Sequence, residues 1–361
     1  RDITVGFQPD WLWFKNRDNT YNHVYYDSVR GPQTRFEPSQ TVTEATVSTA
    51  VTDFTPSGVE GFSIGGNDGA TNQSGYSIVA WCWKLGGEPT ADNSAGAGDT
   101  PTSGSVKIDG SNKSDALAGT IAATRLSANT QSGVSIVTYT GNGTDGATIA
   151  HGLSKAPETV IIIGRDVANS NMMGTTGQIT GFTHYAAYAN ASGYWVDDDS
   201  IFDDAFPTST VFSVGTAANT NTDTKKYLAI CMHHVDGFSR VGEISYAGNG
   251  SSTQGTFVHC GFKPAFVMVK RADAAGSWTV YDHLRTSSNS ASSNDQQFNP
   301  RDERLLLDST NTLATSSTQA MDFASSGFRL RSNANDQNGG SIPYYFMAFA
   351  QNQPFKFSNA E

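Results

Sequence analysis

The chain has 361 residues, more than one hydrophobic core of about 100–200 residues organises, so two or three domains are expected. Only 16% of residues are charged, the net charge is −11, and the longest basic run is Lys225–Lys226, which argues against nucleic acid as a main partner. Aromatics at 11% exclude a disordered chain, and the abundance of turn and strand formers over helix formers excludes a helical bundle.

The chain opens inside a strand, Asp2 to Val5, without a signal-peptide pattern, and the sequence is expected to continue upstream of Arg1. A Gly6-Phe7-Gln8-Pro9 corner leads into the strand Trp11–Lys15. Tyr26 and Asp27 follow, with Arg30 three residues beyond the aspartate, and then Gly61-Phe62-Ser63-Ile64. After an Asn/Gly turn at 72–75, Tyr76 to Lys84 is a near-continuous apolar run of strand length, the pattern of a buried central strand. Residues 1–85 thus read as a first β-sandwich unit that lacks its opening strand. Residues 86–132 are rich in Gly, Ser, Thr and Ala and read as a linker, within which Ser105 to Gly110 can add a strand.

A repeat organises the remainder. Tyr139-Thr140-Gly141-Asn142-Gly143 recurs 107 residues later as Tyr246-Ala247-Gly248-Asn249-Gly250, and Pro157 and Pro264, each preceding a strand, keep the same offset. The runs Tyr227–His233 and Tyr344–Ala350 match Tyr76–Lys84. Tyr281, Asp282 and Arg285 match Tyr26, Asp27 and Arg30, and Gly327-Phe328 matches Gly61-Phe62. The middle copy has Thr183-His184-Tyr185 in place of the Asp/Arg element. The expected architecture is therefore all-β, with tandem antiparallel β-sandwich units at 1–85, 133–240 and 241–361.

No apolar run reaches the roughly 18 residues needed to cross a bilayer, so no membrane insertion is expected. Three cysteines, Cys82, Cys231 and Cys260, cannot all pair within the chain. They read as small buried hydrophobes of a protein made in a reducing cytoplasm.

Several of these segments together resemble a known family. Phe7 to Arg17 (Phe-Gln-Pro-Asp-Trp-Leu-Trp-Phe-Lys-Asn-Arg), Asp27 to Gly31, Val137 to Gly143, Ile149 to Leu153 and Tyr345 to Ala350 look like a repeated domain of marine bacteriophage structural proteins. That family occurs in tail-fibre and other virion proteins of cyanophage-like viruses. The resemblance implies a lectin-like jelly-roll sandwich and residence in the virion after synthesis in the host cytoplasm. It also implies a homo-oligomer, with a trimer favoured, that contacts other virion subunits or host-surface glycans. It supplies no catalytic residues.

Candidate chemistry is sparse. Cys231, His233, His234, His259 and Cys260 suggest zinc, but neighbours on a strand point to opposite faces, so the set does not converge. The acidic run Asp197-Asp198-Asp199 reads as a solvated turn. A Ca²⁺ ion, were one bound, belongs at Asp197 and Asp199; no other cofactor is expected. Tyr194 and Trp195 are the candidate aromatics for stacking on a sugar. Asp27 with Arg30 and Asp282 with Arg285 read as structural ion pairs. No Gly-x-Ser-x-Gly elbow, His-Glu-x-x-His pair or phosphate loop is present, so a non-enzymatic role is expected. The alternatives are a capsid decoration or head-fibre protein without a receptor, and a polysaccharide-degrading virion enzyme.

Overall fold

The computed structural model describes residues 1–176, 185–193, 195–285, 299, 301–315 and 318–350. The first body contains β1 (Asp2–Thr4), β2 (Trp11–Asn16), β3 (Val24–Asp27), β4 (Thr34–Arg35), β5 (Ala45–Thr46), β6 (Val51–Asp53), β7 (Gly61–Ile64) and β8 (Ile78–Trp83). Two antiparallel sheets, in order β1-β7-β6 and β3-β2-β8, enclose a core of Leu12, Phe14, Tyr26, Val51, Phe62 and Ile64, while β4 and β5 form a small hairpin.

The second body contains β9 (Val106–Ile108), β10 (Ser111–Asn112), β11 (Ala123–Asn129), β12 (Val134–Thr140), β13 (Ala147–Ala150), β14 (Thr159–Gly164), β15 (Met172–Thr175), β16 (Tyr185–Tyr188), the short helix α1 (Asp199–Phe202), β17 (Val211–Val214) and β18 (Lys226–Met232). Its large sheet runs β10-β9-β11-β12-β18-β14-β15-β16, with β13-β17 packed against one face. The third body contains β19 (Ser239–Ala247), β20 (Phe257–His259), β21 (Phe266–Arg271), β22 (Thr279–Asp282), β23 (Glu303–Leu306), β24 (Ala314–Thr315), β25 (Gln319–Ala324), β26 (Gly327–Ser332) and β27 (Pro343–Phe349). Its sheets run β19-β27-β21-β22-β23-β24 and β20-β26-β25. The fold is all-β and of sandwich type, and the four-residue α1 is the sole α-helix among the described residues.

The near-continuous apolar strands follow from burial on both faces. In β27, Tyr344, Phe346 and Ala348 face the third body's interior. Tyr345, Met347 and Phe349 face a second core shared by all three bodies. Strand β18 divides in the same way, with Tyr227, Ala229 and Cys231 inside its body and Leu228, Ile230 and Met232 in the shared core. From the first body, Trp11, Trp13, Trp81 and Trp83 enter that shared core. The recurring Gly-Phe pair also has a steric cause. Added Cβ atoms at Gly61 and Gly327 would collide with the carbonyls of Ile3 and Val258 on the neighbouring strands β1 and β20.

Two expectations are corrected. The segment 86–132, expected as a linker, is folded: β9 pairs in parallel with β11, and β11 pairs antiparallel with β12, extending the second body's sheet. Its small polar residues serve tight turns and close backbone approaches. Gly86, for example, leaves no room for a Cβ beside the carbonyls of Lys107 and Ala128. The second correction concerns β8. Its apolar run reads as a central strand, as β18 and β27 are, yet it lies at a sheet edge with β2 as its one strand neighbour among the described residues.

Candidate functional site

Three junctions between bodies hold buried charged or titratable side chains. At the first, Asp27 accepts the Arg30 backbone N–H at 2.9 Å and pairs with its guanidinium at 2.7 Å, both side chains being almost fully buried. Arg30 also reaches Glu44 at 3.4 Å, and Glu44 receives two hydrogen bonds from Arg165 of the second body, each 2.9 Å. The carboxylate of Glu44 thus sits between two guanidiniums, one from each body, in the fork geometry that arginine favours.

At the second junction Asp282 accepts the Arg285 backbone N–H at 2.8 Å and pairs with the Arg285 guanidinium. Trp81 of the first body donates its indole N–H to Asp282 Oδ2 at 3.3 Å, and the Arg285 guanidinium lies 5.8 Å from the Trp81 ring. The two sequence-matched corners therefore occupy corresponding places, each at a seam with another body.

The third junction is built from residues that the sequence reading missed. Trp13 donates its indole N–H to His23 Nδ1 at 2.8 Å, and His23 Nε2 lies 3.0 Å from the carbonyl of Leu306 in the third body. Because indole can only donate, His23 is held as the tautomer protonated at Nε2. Burial pushes its pKa well below the ordinary value, and the nearby Lys15 charge acts in the same direction. Lys15 is itself fully buried. Its Nζ donates to the carbonyls of Asn16 (2.6 Å), Asn19 and Thr310 (both 3.3 Å), and burial lowers its pKa to about 8. Lys270, at the equivalent place on β21, is also fully buried and lowered to about 8, again chiefly by burial. It donates to Gly276 at 2.6 Å and to Ser192 of the second body at 3.1 Å. Both lysines lie one residue before the end of strands rich in aromatic and aliphatic residues, and lysine is seldom fully buried, so no local signal marks them.

The candidate ligand residues fare differently. Trp195 is 3% exposed and packs with ring centroids 6.0 Å from Trp278 and 5.3 Å from Tyr345. An indole enclosed in this way has no face for a sugar, so the expected stacking platform is corrected to core packing. Its partner in that expectation, Tyr194, lies outside the described residues. Asp197, Asp198 and Asp199 are exposed. Asp198 caps α1, its Oδ1 accepting from the Ser200 N–H at 3.1 Å and from the Ser200 hydroxyl at 2.6 Å. Among the described residues no three His, Cys, Asp or Glu side chains converge as a metal-ligand set, which includes Asp197 and Asp199. Cys231 is buried in the second core, where burial raises its thiol pKa.

Two concavities stand out. One, beside Phe202, Phe206 and Glu158, has a volume of about 30 Å³, room for about one water. The other has a volume of about 590 Å³ and runs along the open edge of β8, between the first and third bodies. Trp81, Trp83, Phe238, Phe266, Leu284 and Phe349 form its apolar wall, and Arg17, Asp282 and Arg285 contribute polar groups. Leu284, 60% exposed, stands on its rim. Residues from 7 to 350 build this groove, so no local sequence signal announces it.

The sequence pattern of a family described as a domain of unknown function, DUF7483, matches residues 1–107 and again 97–354. The chain belongs to this family. The two matches together span nearly the whole chain, consistent with the internal repeat. No curated protein and no solved structure matches the chain.

Proposed function

We propose that this DUF7483 protein is a non-enzymatic structural component of a virion, of the tail-fibre or related appendage kind. In this reading it contacts host-surface glycans or neighbouring virion subunits and assembles as a homo-oligomer, with a trimer favoured. The single observation that carries the reading is the shared core. Trp13, Trp81 and Trp83 of the first body meet Phe266 and Phe349 of the third with ring centroids 5.6 to 5.8 Å apart, and Trp11 stacks on Trp83 behind them at 4.2 Å. Such packing makes three sandwiches into one stiff unit, the property that a load-bearing particle component needs. The sequence resemblance and the charge-poor polar composition support the same reading, since uncharged Ser, Thr, Asn and Gly surfaces suit wet, hydrogen-bonded contacts.

The test incubates the purified protein with host cells and with extracted polysaccharide, and measures the mass of the assembled particle. Binding without cleavage and a trimeric mass are expected. Cleavage would assign a polysaccharide-degrading enzyme. Neither binding nor cleavage would assign a decoration protein without a receptor.

A further inference from the structure

We propose that Asn142 is a site of spontaneous covalent modification. Its side-chain amide is lost when the Gly143 nitrogen closes a ring on it, and water then leaves aspartate or isoaspartate at the corner between β12 and β18. The proposal stands apart from the virion reading, since it rests on comparing one dipeptide at three places in a single chain.

The chain has Asn-Gly pairs at Asn142, Asn249 and Asn338. Glycine has no Cβ to shield its nitrogen and lets the backbone bend toward the preceding side chain, so the pair is the one most open to this reaction. The Gly143 nitrogen bonds to Asn142 Cγ, the Cγ–Nδ2 bond breaks, and ammonia leaves with the proton of the Gly143 N–H. Water then opens the cyclic imide. Opening at Cγ gives aspartate. Opening at the main-chain carbonyl gives isoaspartate, whose chain runs through Cβ and Cγ. Nothing is oxidised or reduced, and water is the one co-reactant.

What separates the three sites is how firmly each side chain is held away from the next nitrogen. Asn142 is exposed, and one hydrogen bond restrains its side chain, Oδ1 accepting the Thr144 N–H at 2.9 Å. Its Nδ2 has no hydrogen-bond partner among the described residues. Asn249, at the matching place in the third body, is also exposed and accepts the Ser251 N–H at 3.0 Å in the same way. Two further bonds pin it: Nδ2 donates to the Gln254 carbonyl at 2.7 Å, and Oδ1 accepts from Asn338 Nδ2 at 3.0 Å. Asn338 is fully buried, and its Nδ2 also donates to the carbonyls of Ser332 (2.7 Å) and Ser251 (3.1 Å). The Gly339 N–H, the nucleophile at that site, donates to the Tyr344 hydroxyl at 2.7 Å.

The nucleophile does not distinguish the two exposed sites. Gly143 and Gly250 have φ of 66° and 70°, and their N–H groups donate to the carbonyls of Asn221 (2.9 Å) and Asn338 (2.7 Å). The difference lies in what surrounds each corner. The loop from Gly250 to β20 is the longer one and supplies the Gln254 carbonyl, whereas the loop from Gly143 to β13 offers Asn142 no such acceptor. Asn221, the counterpart of Asn338, directs its Nδ2 to the carbonyls of Thr144 (2.8 Å) and Gly215 (3.0 Å) instead of to Asn142.

The two products differ in what they cost. The N–H groups of Asn142 and Gly143 both donate to Asn221, one to Oδ1 and one to the carbonyl, each at 2.9 Å, at the end of the β12–β18 pair. Isoaspartate inserts a methylene between these two N–H groups, so both bonds cannot be kept. Aspartate keeps them, and keeps an oxygen for the Thr144 N–H.

The test incubates the folded 361-residue protein, and the same protein unfolded in guanidinium chloride, in mildly alkaline buffer. Peptide mapping reads the mass gain of an amide becoming a carboxyl, and labelling by an isoaspartyl methyltransferase reads the isoaspartate. In the folded protein Asn142 should react at least about tenfold faster than Asn249 or Asn338, since each of those must first break two or more further hydrogen bonds. In the unfolded protein the three should react at similar rates. Asn142→Asp should melt close to the wild type, whereas the isoaspartyl fraction should melt lower and exchange the Asn142 and Gly143 amides faster. Equal rates at the three sites of the folded protein would overturn the proposal. So would an Asn142 that reacts only after unfolding, or one that leads by the same margin in the unfolded chain. An isoaspartyl fraction with unchanged amide exchange would overturn the cost assigned to the Asn221 contacts.

Discussion

Replacing Lys15 with methionine tests how far the junction between the first and third bodies is dehydrated. Lys15 is fully buried, and its Nζ donates to three backbone carbonyls, one of them Thr310 from the third body. Burial lowers its pKa from 10.5 to about 8. At about 1.4 kcal/mol per tenfold change, that lowering corresponds to about 3 kcal/mol. Below pH 8 the ammonium is charged in both the folded and unfolded chains, and the full penalty opposes folding. Between pH 8 and 10.5 the folded protein releases the proton while the unfolded chain retains it. The unfolded state then binds more protons, so stability rises with pH in this window. From pH 7 to pH 10 the wild type should therefore gain about 2–3 kcal/mol relative to Lys15→Met. Urea denaturation of both proteins at pH 7, 8, 9 and 10 measures the difference, and the buried tyrosines and cysteines, common to both, cancel. Parallel stability curves would show that Lys15 keeps its hydration, and the account of this junction would fail.

Trp278, fully buried in the shared core and donating to Tyr188 and Ala191 of the second body, should cost about 3–5 kcal/mol when changed to alanine; a loss below about 1 kcal/mol in chemical denaturation would mean that the bodies do not depend on this packing. Arg285→Ala leaves Asp282 buried without its guanidinium and should destabilise by about 3–5 kcal/mol, with any glycan binding unchanged; the reverse pattern would make the pair a ligand site. His23 is held neutral with a depressed pKa, so the unfolded chain takes up its proton first as pH falls below about 6.5, and stability is lost on acidification. His23→Gln should flatten that acid limb of the melting-temperature profile, and an unchanged limb would assign it to other groups. Millimolar Ca²⁺ should leave the melting temperature unmoved, since Asp198 is engaged in capping α1 and its neighbours are solvated; a rise of several degrees would place an ion at Asp197 and Asp199.

Much of the architecture was legible because the chain repeats itself. Strand periodicity, Gly-Phe pairs and Asn/Gly turns each recur, and each has a local cause: alternation of faces, a close approach of β1 to β7, a side chain closing a turn. The matched Asp/Arg corners were legible as ion pairs for the same reason, since residues three apart meet without help from the rest of the fold. What stayed hidden was the far side of each element. Trp195 looked available to a ligand because only its sequence neighbours were visible, and these are acidic and exposed. Its real neighbours, Trp278 and Tyr345, are distant in sequence. The segment 86–132 read as a linker because small polar residues suit both a free coil and closely packed turns, and composition does not separate the two.

The sequence by itself determined the all-β class, the repeated units and the strands that must be buried on both faces, since these depend on local sterics and on the period of apolar side chains. Tertiary structure alone decided which outer faces merge into one aromatic core, why Lys15, His23 and Lys270 are dehydrated, and that residues 106–129 join the second body's sheet. Those outcomes depend on which strand lies beside which, a matter of long-range packing that the pattern within a strand cannot encode.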